Sequence, residues 1–286
     1  MKIYLSGILT AGNLNKLWKD MSKIYLSGGS SRKYVIEIAV ERYLESIKSS
    51  DKSQIQKFES ANPYVLESFF YIQRNSEWLM ALRPFFRGFL LDSGAFTYLQ
   101  GNGKNVNWNK YIESYAEFIN KYDIDLFFEL DIDSIVGIKK VEEYRKRLEE
   151  LTGKKSIPVW HKSRGLEYWK EMVSDYDYVA IGGIVTKEIK GNEFPIFTPL
   201  LKMAKEKGTK VHGLGFTNFR GLKKYNFYSV DSTSWVYGNR GGFLWQFDGR
   251  DMLKHFNKGM KLEARKAAIH NYLEWCKFGI YAEQYL

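Results

Sequence analysis

Short runs of apolar, β-branched and aromatic residues recur along the chain, each closing on a polar residue or glycine. They are KIYLSG at 2–7 and again at 23–28, GFLLDSG at 88–94, DLFFELDID at 125–133, IPVWHK at 157–162, YVAIGGI at 178–184, KVHGLGF at 210–216 and FYSVDST at 227–233. These runs do not alternate apolar with polar positions. Near-continuous apolar runs of this length are expected of parallel strands buried on both faces. Between them the period changes to a helical one. In 107–123, Tyr111, Ile112, Tyr115, Phe118, Ile119 and Tyr122 share one face. In 138–151, Val141, Tyr144, Leu148 and Leu151 do the same, and Gly153 supplies the stop. The pattern also predicts a long closing helix over 252–278. The 29–87 segment reads as helical, clearest in SSRKYVIEIAVERYLESI, and is longer than an ordinary crossover, so it suggests an extra lobe or lid.

Strands alternating with helices in this order predict an α/β chain, a (β/α)8 TIM-type barrel with an extra helical segment near the N-terminus. An open doubly wound sheet is the alternative. The repeated KIYLSG is a local echo with no period extending from it. With no low-complexity linker, residues 1–286 read as one barrel domain.

Composition narrows the partners. A formal net charge of +10 on 286 residues favours an anionic partner, nucleic acid above all. Aromatic residues make up 16%, including 20 Tyr and 8 Trp; beside basic residues such rings suit base stacking, although most of them belong to the core. The run NFRGLKKYNFY at 218–228 mixes both kinds and could track phosphates or simply be a solvated face. Cys276 is the only cysteine, which excludes an internal disulfide and a multi-cysteine zinc site. No metal and no cofactor is expected. The opening residues read as strand and turn, not signal peptide, and no apolar run reaches the ~18 residues of a membrane span. A cytoplasmic protein without membrane contact is the expectation.

In a barrel the functional groups sit where strands end. That rim would carry Asp92, Asp131, Asp133, His161, Gly182, Gly183, His212 and Asp231. Three separate strands thus bring carboxylates to one mouth. Paired carboxylates suit acid/base or nucleophilic work at a sugar carbon, one attacking while another protonates the leaving group. The Gly182-Gly183 pair would let backbone approach a flat ligand, or merely make a tight turn. His161 and His212 could meet phosphate or substrate, or be structural.

The order and wording of these patches resemble the tRNA-guanine transglycosylase superfamily over roughly residues 88–243. LDSGAF is similar to the family's Asp-Ser-Gly-Gly-Phe-Gln signature, which implies proton transfer by Asp92 and substrate contact by Ser93 and Gly94. LDI at 130–132 matches the base-reading Asp, so Asp131 takes that role, with Asp133 as its competitor on the same side. AIGGIV resembles the Gly-Gly-Leu motif lining the base pocket, and SVDST puts Asp231 at the nucleophile position. Arg240 follows nine residues later, with Gly241 and Gly242, as an Arg and Gly follow the family's nucleophile; it is a candidate phosphate or ribose contact. Ala95 and Thr97 replace the second Gly and the Gln of the signature, Tyr237 stands where an Arg would fall, and the family's zinc ligands are absent. The chain therefore resembles the compact, zinc-less phage-type branch, which exchanges guanine for a 7-deazaguanine in DNA.

The resemblance implies DNA rather than tRNA as partner, a free nucleobase as possible co-substrate, and a base flipped out of its stack before its glycosidic bond is reached. Alternatives remain at this stage: a hydrolytic glycosylase excising a modified base in antiviral defence, a tRNA enzyme, or a non-catalytic nucleic-acid-binding barrel. KIYLSG also resembles the start of nucleoside deoxyribosyltransferases, which the rest of the chain does not follow. GLGFTN lacks the context of a dinucleotide site.

Overall fold

A computed structural model describes residues 22–48, 62–99, 106–236, 242–256 and 263–286, without the side chains of residues 96 and 99. Seven parallel strands form its main sheet: β1 (Lys23–Ser27), β2 (Tyr64–Ser68), β3 (Gly88–Asp92), β4 (Val159–Trp160), β5 (Tyr178–Ile181), β6 (Lys210–Gly213) and β7 (Ser229–Ser232). Their order is β3-β2-β1-β7-β6-β5-β4. The first KIYLSG run, at 2–7, lies outside the described residues. The second is β1, in the interior of the sheet between β2 and β7.

The 125–133 run forms only isolated bridges. Leu91 pairs with Phe127 and Phe128 with Ile157, so this one segment touches both edges of the sheet. The Tyr115 hydroxyl helps to hold it, reaching the carbonyls of Leu91 at 3.2 Å and Phe128 at 3.1 Å. The chain is thus an α/β fold with a curled parallel sheet. Inside the curl, Tyr25, Tyr64, Leu66, Leu90, Phe128 and Val159 pack together with their neighbours. A larger apolar layer lies between the sheet and the helices, including Trp108–Lys121, Ile138–Thr152, Gly165–Asp175 and Phe197–Lys207.

Two expectations need correction. The 29–87 segment contains the helix Lys33–Lys48 and a short helix Glu77–Leu82, but also β2, which pairs with β1 and β3 and completes the core of the sheet. The run YVLES behind Asn62-Pro63 is a strand with residues buried on both faces. The closing helix does not begin at 252. Residues 243–256 form an antiparallel hairpin, β8 (Phe243–Phe247) with β9 (Met252–Phe256), and the helix is Ala264–Tyr285. Asp248 closes the hairpin turn by accepting from the Arg250 and Asp251 N–H groups, at 2.9 and 2.7 Å, and Gly249 supplies a φ of +98°. Asn271 and Glu274 of the closing helix accept the Trp245 and Phe247 N–H groups and dock the hairpin against that helix.

A buried charge network ties the irregular 126–129 segment to β4. Glu129 is fully buried; it meets Arg145 and Arg164, each at 3.1 Å, and accepts the Val159 N–H at 2.8 Å. Arg164 also bonds Asp133 at 2.9 Å and the Val159 carbonyl. Breaking a buried pair by removing one partner leaves an uncompensated charge. Glu129→Ala is therefore expected to cost about 3–5 kcal/mol, read as a lowered urea midpoint at unchanged m-value. A midpoint within error of wild type would show that the network contributes nothing to stability.

Candidate active site

The C-terminal ends of the strands open onto one cavity of about 740 Å³, within the size range of small-ligand sites. Asp92, Asp131, Asp133 and Asp231 all line it. So do Ser93, His161, Gly182 and Gly183. Parallel pairing accounts for the convergence: Asp92 is in register with Ser68 of β2, and Asp231 with Tyr25 of β1.

Asp92 closes β3, and burial pushes its carboxyl up to about 6. The Gly94 N–H, 3.0 Å from Oδ2, and the Ser68 hydroxyl favour ionisation, while the charges of Asp231 and Asp131 oppose it. The loop beyond Asp92 is fixed from behind by the Tyr111 hydroxyl, which donates to the Ser93 carbonyl at 2.6 Å. Gly94 sits behind this loop and serves it through its N–H, without lining the cavity.

Asp231 is held differently. Its Oδ1 accepts the Gly215 N–H at 2.6 Å and faces His212 Nε2 at 3.4 Å, and its Oδ2 accepts the Ser27 hydroxyl at 3.3 Å. The Gly215 N–H and the Ser27 hydroxyl thus fix the orientation of the carboxylate, with the His212 ring beneath it. His212 is fully buried beneath Asp231 and does not line the cavity, which corrects its expected place on the open rim.

His161 lies between two carboxylates. Nε2 is 2.8 Å from Asp131 Oδ1 and Nδ1 is 2.9 Å from Glu188 Oε2. Burial works against its charge, but the hydrogen bond and charge of Asp131, with Asp133 beyond, outweigh it and hold His161 at about 9. At neutral pH both ring nitrogens therefore donate. Glu188 is partly desolvated, yet the Ser163 N–H at 2.7 Å and His161 hold its pKa below the usual carboxylate range. The glycine pair makes room for this arrangement. A Cβ on Gly182 would stand 2.7 Å from His161 Cε1, and one on Gly183, whose φ is +79°, would stand 2.8 Å from Glu188 Oε2. The outcome is an imidazole held between two carboxylates along one wall, its ring nitrogens bonded to both.

Glu188 and Glu67 were not singled out in the sequence. Glu188 lies five residues beyond the glycine pair, in the loop TKE, where a solvated charge is the ordinary expectation. Glu67 belongs to the unrecognised β2. Burial lifts it to about 7, and it accepts the Ser30 N–H at 2.8 Å, anchoring the turn after β1. Arg240 lies outside the described residues.

Among the described residues, Asp131, Asp133 and His161 are grouped closely enough to offer a cation three ligand atoms. Arg164 already supplies positive charge there. It bonds Asp133 and places Nη2 3.6 Å from Asp131. His161 supplies a second cation against Asp131.

No family model matches this chain, and no curated protein matches it. Among solved structures, it is similar to one from Coccidioides immitis assigned to the fructose-1,6-biphosphate aldolases, with a TM-score of 0.56 at 8% identity over 93% of this chain and 90% of that one. At that identity the likeness concerns the fold, an α/β architecture of the TIM type. No helix among the described residues is long and apolar enough to cross a membrane.

Proposed function

We propose that this protein is an enzyme that cleaves the N-glycosidic bond of a nucleic-acid base, exchanging guanine for a 7-deazaguanine in DNA. The observation that carries this reading is the pair Asp92 and Asp231 in one cavity: one carboxyl can hold a proton near neutral pH, and the other is pinned by the Gly215 N–H and the Ser27 hydroxyl. A pair of that kind serves acid and nucleophile. On this reading the fold is a complete (β/α)8 barrel whose eighth position is the 126–129 segment.

Asp231 attacks C1′ of the sugar as the bond to the base breaks. Asp92 gives its proton to the departing ring nitrogen, leaving a glycosyl ester on Asp231 and an ionised Asp92. An incoming base then loses a proton to Asp92, its nitrogen takes C1′, and Asp231 is freed. Water in place of the base would complete an excision. Asp131 and Glu188, each keeping lone pairs beyond its bond to His161, can accept the adjacent N–H groups of a guanine-type edge. Ser93 and the Gly182-Gly183 backbone border the same space, and Arg240 stands as a phosphate or ribose contact by resemblance only.

The test uses guanine-labelled DNA and tRNA, each with and without a 7-deazaguanine. Release that needs the acceptor base indicates exchange, whereas release without it, leaving abasic sites, indicates excision. Release from neither nucleic acid overturns the reading.

Binding should also depend steeply on salt, because Arg220, Lys223 and Lys224 on the helix Phe219–Lys224 are exposed and the chain carries a net charge of +10. Across a few-fold rise in salt the affinity for DNA is expected to fall by roughly 10³-fold or more if about six phosphates are contacted. A flat titration by fluorescence anisotropy would count against a nucleic-acid partner.

A further inference from the structure

We propose that His212, backed by Ser229 and Tyr178, is a positioning residue that holds Asp231 from beneath through its Nε2–H; the proposal rests on the reading of Asp231 as nucleophile. The inside of the sheet is otherwise built from Tyr, Leu, Phe, Ile, Val and Ala side chains. Through this apolar interior runs a short polar column. His212 Nδ1 is 2.6 Å from Ser229 Oγ, and Ser229 Oγ is 2.5 Å from the Tyr178 hydroxyl. Neighbouring strands bring these groups together: Ala180, His212 and Ser229 lie side by side across β5, β6 and β7. At its upper end the column meets Asp231, with Nε2 3.4 Å from Oδ1.

A polar side chain buried without partners is costly, so a column of three needs every donor matched. A carboxylate only accepts, so the ring nitrogen facing it must carry a proton. Nδ1 can then accept the Ser229 O–H, and Ser229 Oγ can accept the Tyr178 O–H. All three donors then point toward Asp231, and the ring is kept from turning by Phe128 and Tyr25, whose centroids lie 5.2 and 6.1 Å away. The charged and polar groups facing Asp231 are therefore Ser27 and the Gly215 N–H beside it, Asp92 across the cavity, and His212 below. Among the described residues, only His212 meets it from the closed side. A nucleophile that must advance on a sugar carbon gains from a fixed approach, since small misplacements are costly in rate.

The test begins with the whole protein labelled at its histidines with nitrogen-15. His212 is identified by the signals that vanish in His212→Gln. A protonated Nε2 whose signal moves in Asp231→Asn supports the contact, and an unprotonated Nε2 overturns it. In turnover, His212→Phe, which fills the space without a donor, should lower kcat by about 10–100-fold and leave KM within roughly twofold, as expected when ground-state binding is untouched. His212→Gln, which keeps a donor, should recover part of the loss. An unchanged kcat, or a raised KM at constant kcat, overturns the positioning role. If the wild type releases no base from any nucleic acid, the reading of the site fails and the catalytic purpose of the contact fails with it. The nitrogen signals decide the contact itself independently.

Discussion

Asp231→Asn is expected to fold like the wild type and to lose about four orders of magnitude in turnover, as when the nucleophile of a covalent mechanism is removed. The substitution is nearly isosteric. The amide oxygen can keep the Gly215 N–H at the position now occupied by Oδ1, and the amide nitrogen can face the Ser27 oxygen. What disappears is the second anionic oxygen and with it the ester to C1′. Denaturing gels of a labelled oligonucleotide should therefore show no protein-linked band with this variant under any condition. A linked band, or normal turnover, would overturn the assignment of Asp231 as nucleophile and would leave the cavity as a binding site. Unchanged DNA affinity beside lost turnover would place the effect on chemistry.

The strands that carry the cavity were legible because their apolar runs end on rim residues in a regular order. Six runs, at 23–28, 88–94, 157–162, 178–184, 210–216 and 227–233, coincide with strands of the sheet. The 125–133 run was legible as extended chain but not as an irregular bridge. Its single bridges depend on the distant Tyr115 hydroxyl and on the buried charges of Glu129, Arg145 and Arg164. β2 was hidden by the helical residues around it, although Pro63 before YVLES marks a boundary. The hairpin was hidden because MLKHF was read as the start of the closing helix, although Asp248-Gly249 before it is a strong turn signal. For the site, the carboxylates could be placed on a rim, but their environments could not. Nothing in LDSGAF shows that Asp92 is desolvated while SVDST yields a carboxylate held by the Gly215 N–H and the Ser27 hydroxyl. Nor does spacing show that His212 turns inward under Asp231 while His161 lies across Gly182 between Asp131 and Glu188. Those differences come from which neighbouring strand stands beside each residue.

Asp92→Asn should separate stability from activity in opposite directions. As a mere loop cap, Asp92 would be a stabilising residue, and its loss would cost stability or do nothing. The structure argues otherwise, since burial raises its carboxyl from an ordinary 3.8 to about 6. A raised carboxyl binds more protons in the folded chain than in the unfolded one between those two values. Stability therefore falls as pH rises from about 3.8 to about 6, and the full cost is present above that window. Asn carries no charge to desolvate and can hold the Gly94 loop only through its amide oxygen. The variant is thus expected to be more stable than wild type at neutral pH by roughly 1–3 kcal/mol, on the conversion of about two pKa units, and to lose that advantage at pH values below the window. Its turnover should fall by about 10²–10⁴-fold, the usual contribution of general acid–base catalysis. The alkaline decline that protonated Asp92 imposes on the wild-type rate above about 6 should be missing from the remaining activity. With a substrate whose base leaves without help, Asp92→Asn should still build the adduct on Asp231 and fail to resolve it with a new base. Thermal melts at two pH values, a pH–rate profile and the adduct gel measure these outcomes separately. A variant that is destabilised at neutral pH while keeping its turnover would return Asp92 to the role of a cap and remove the acid from the mechanism.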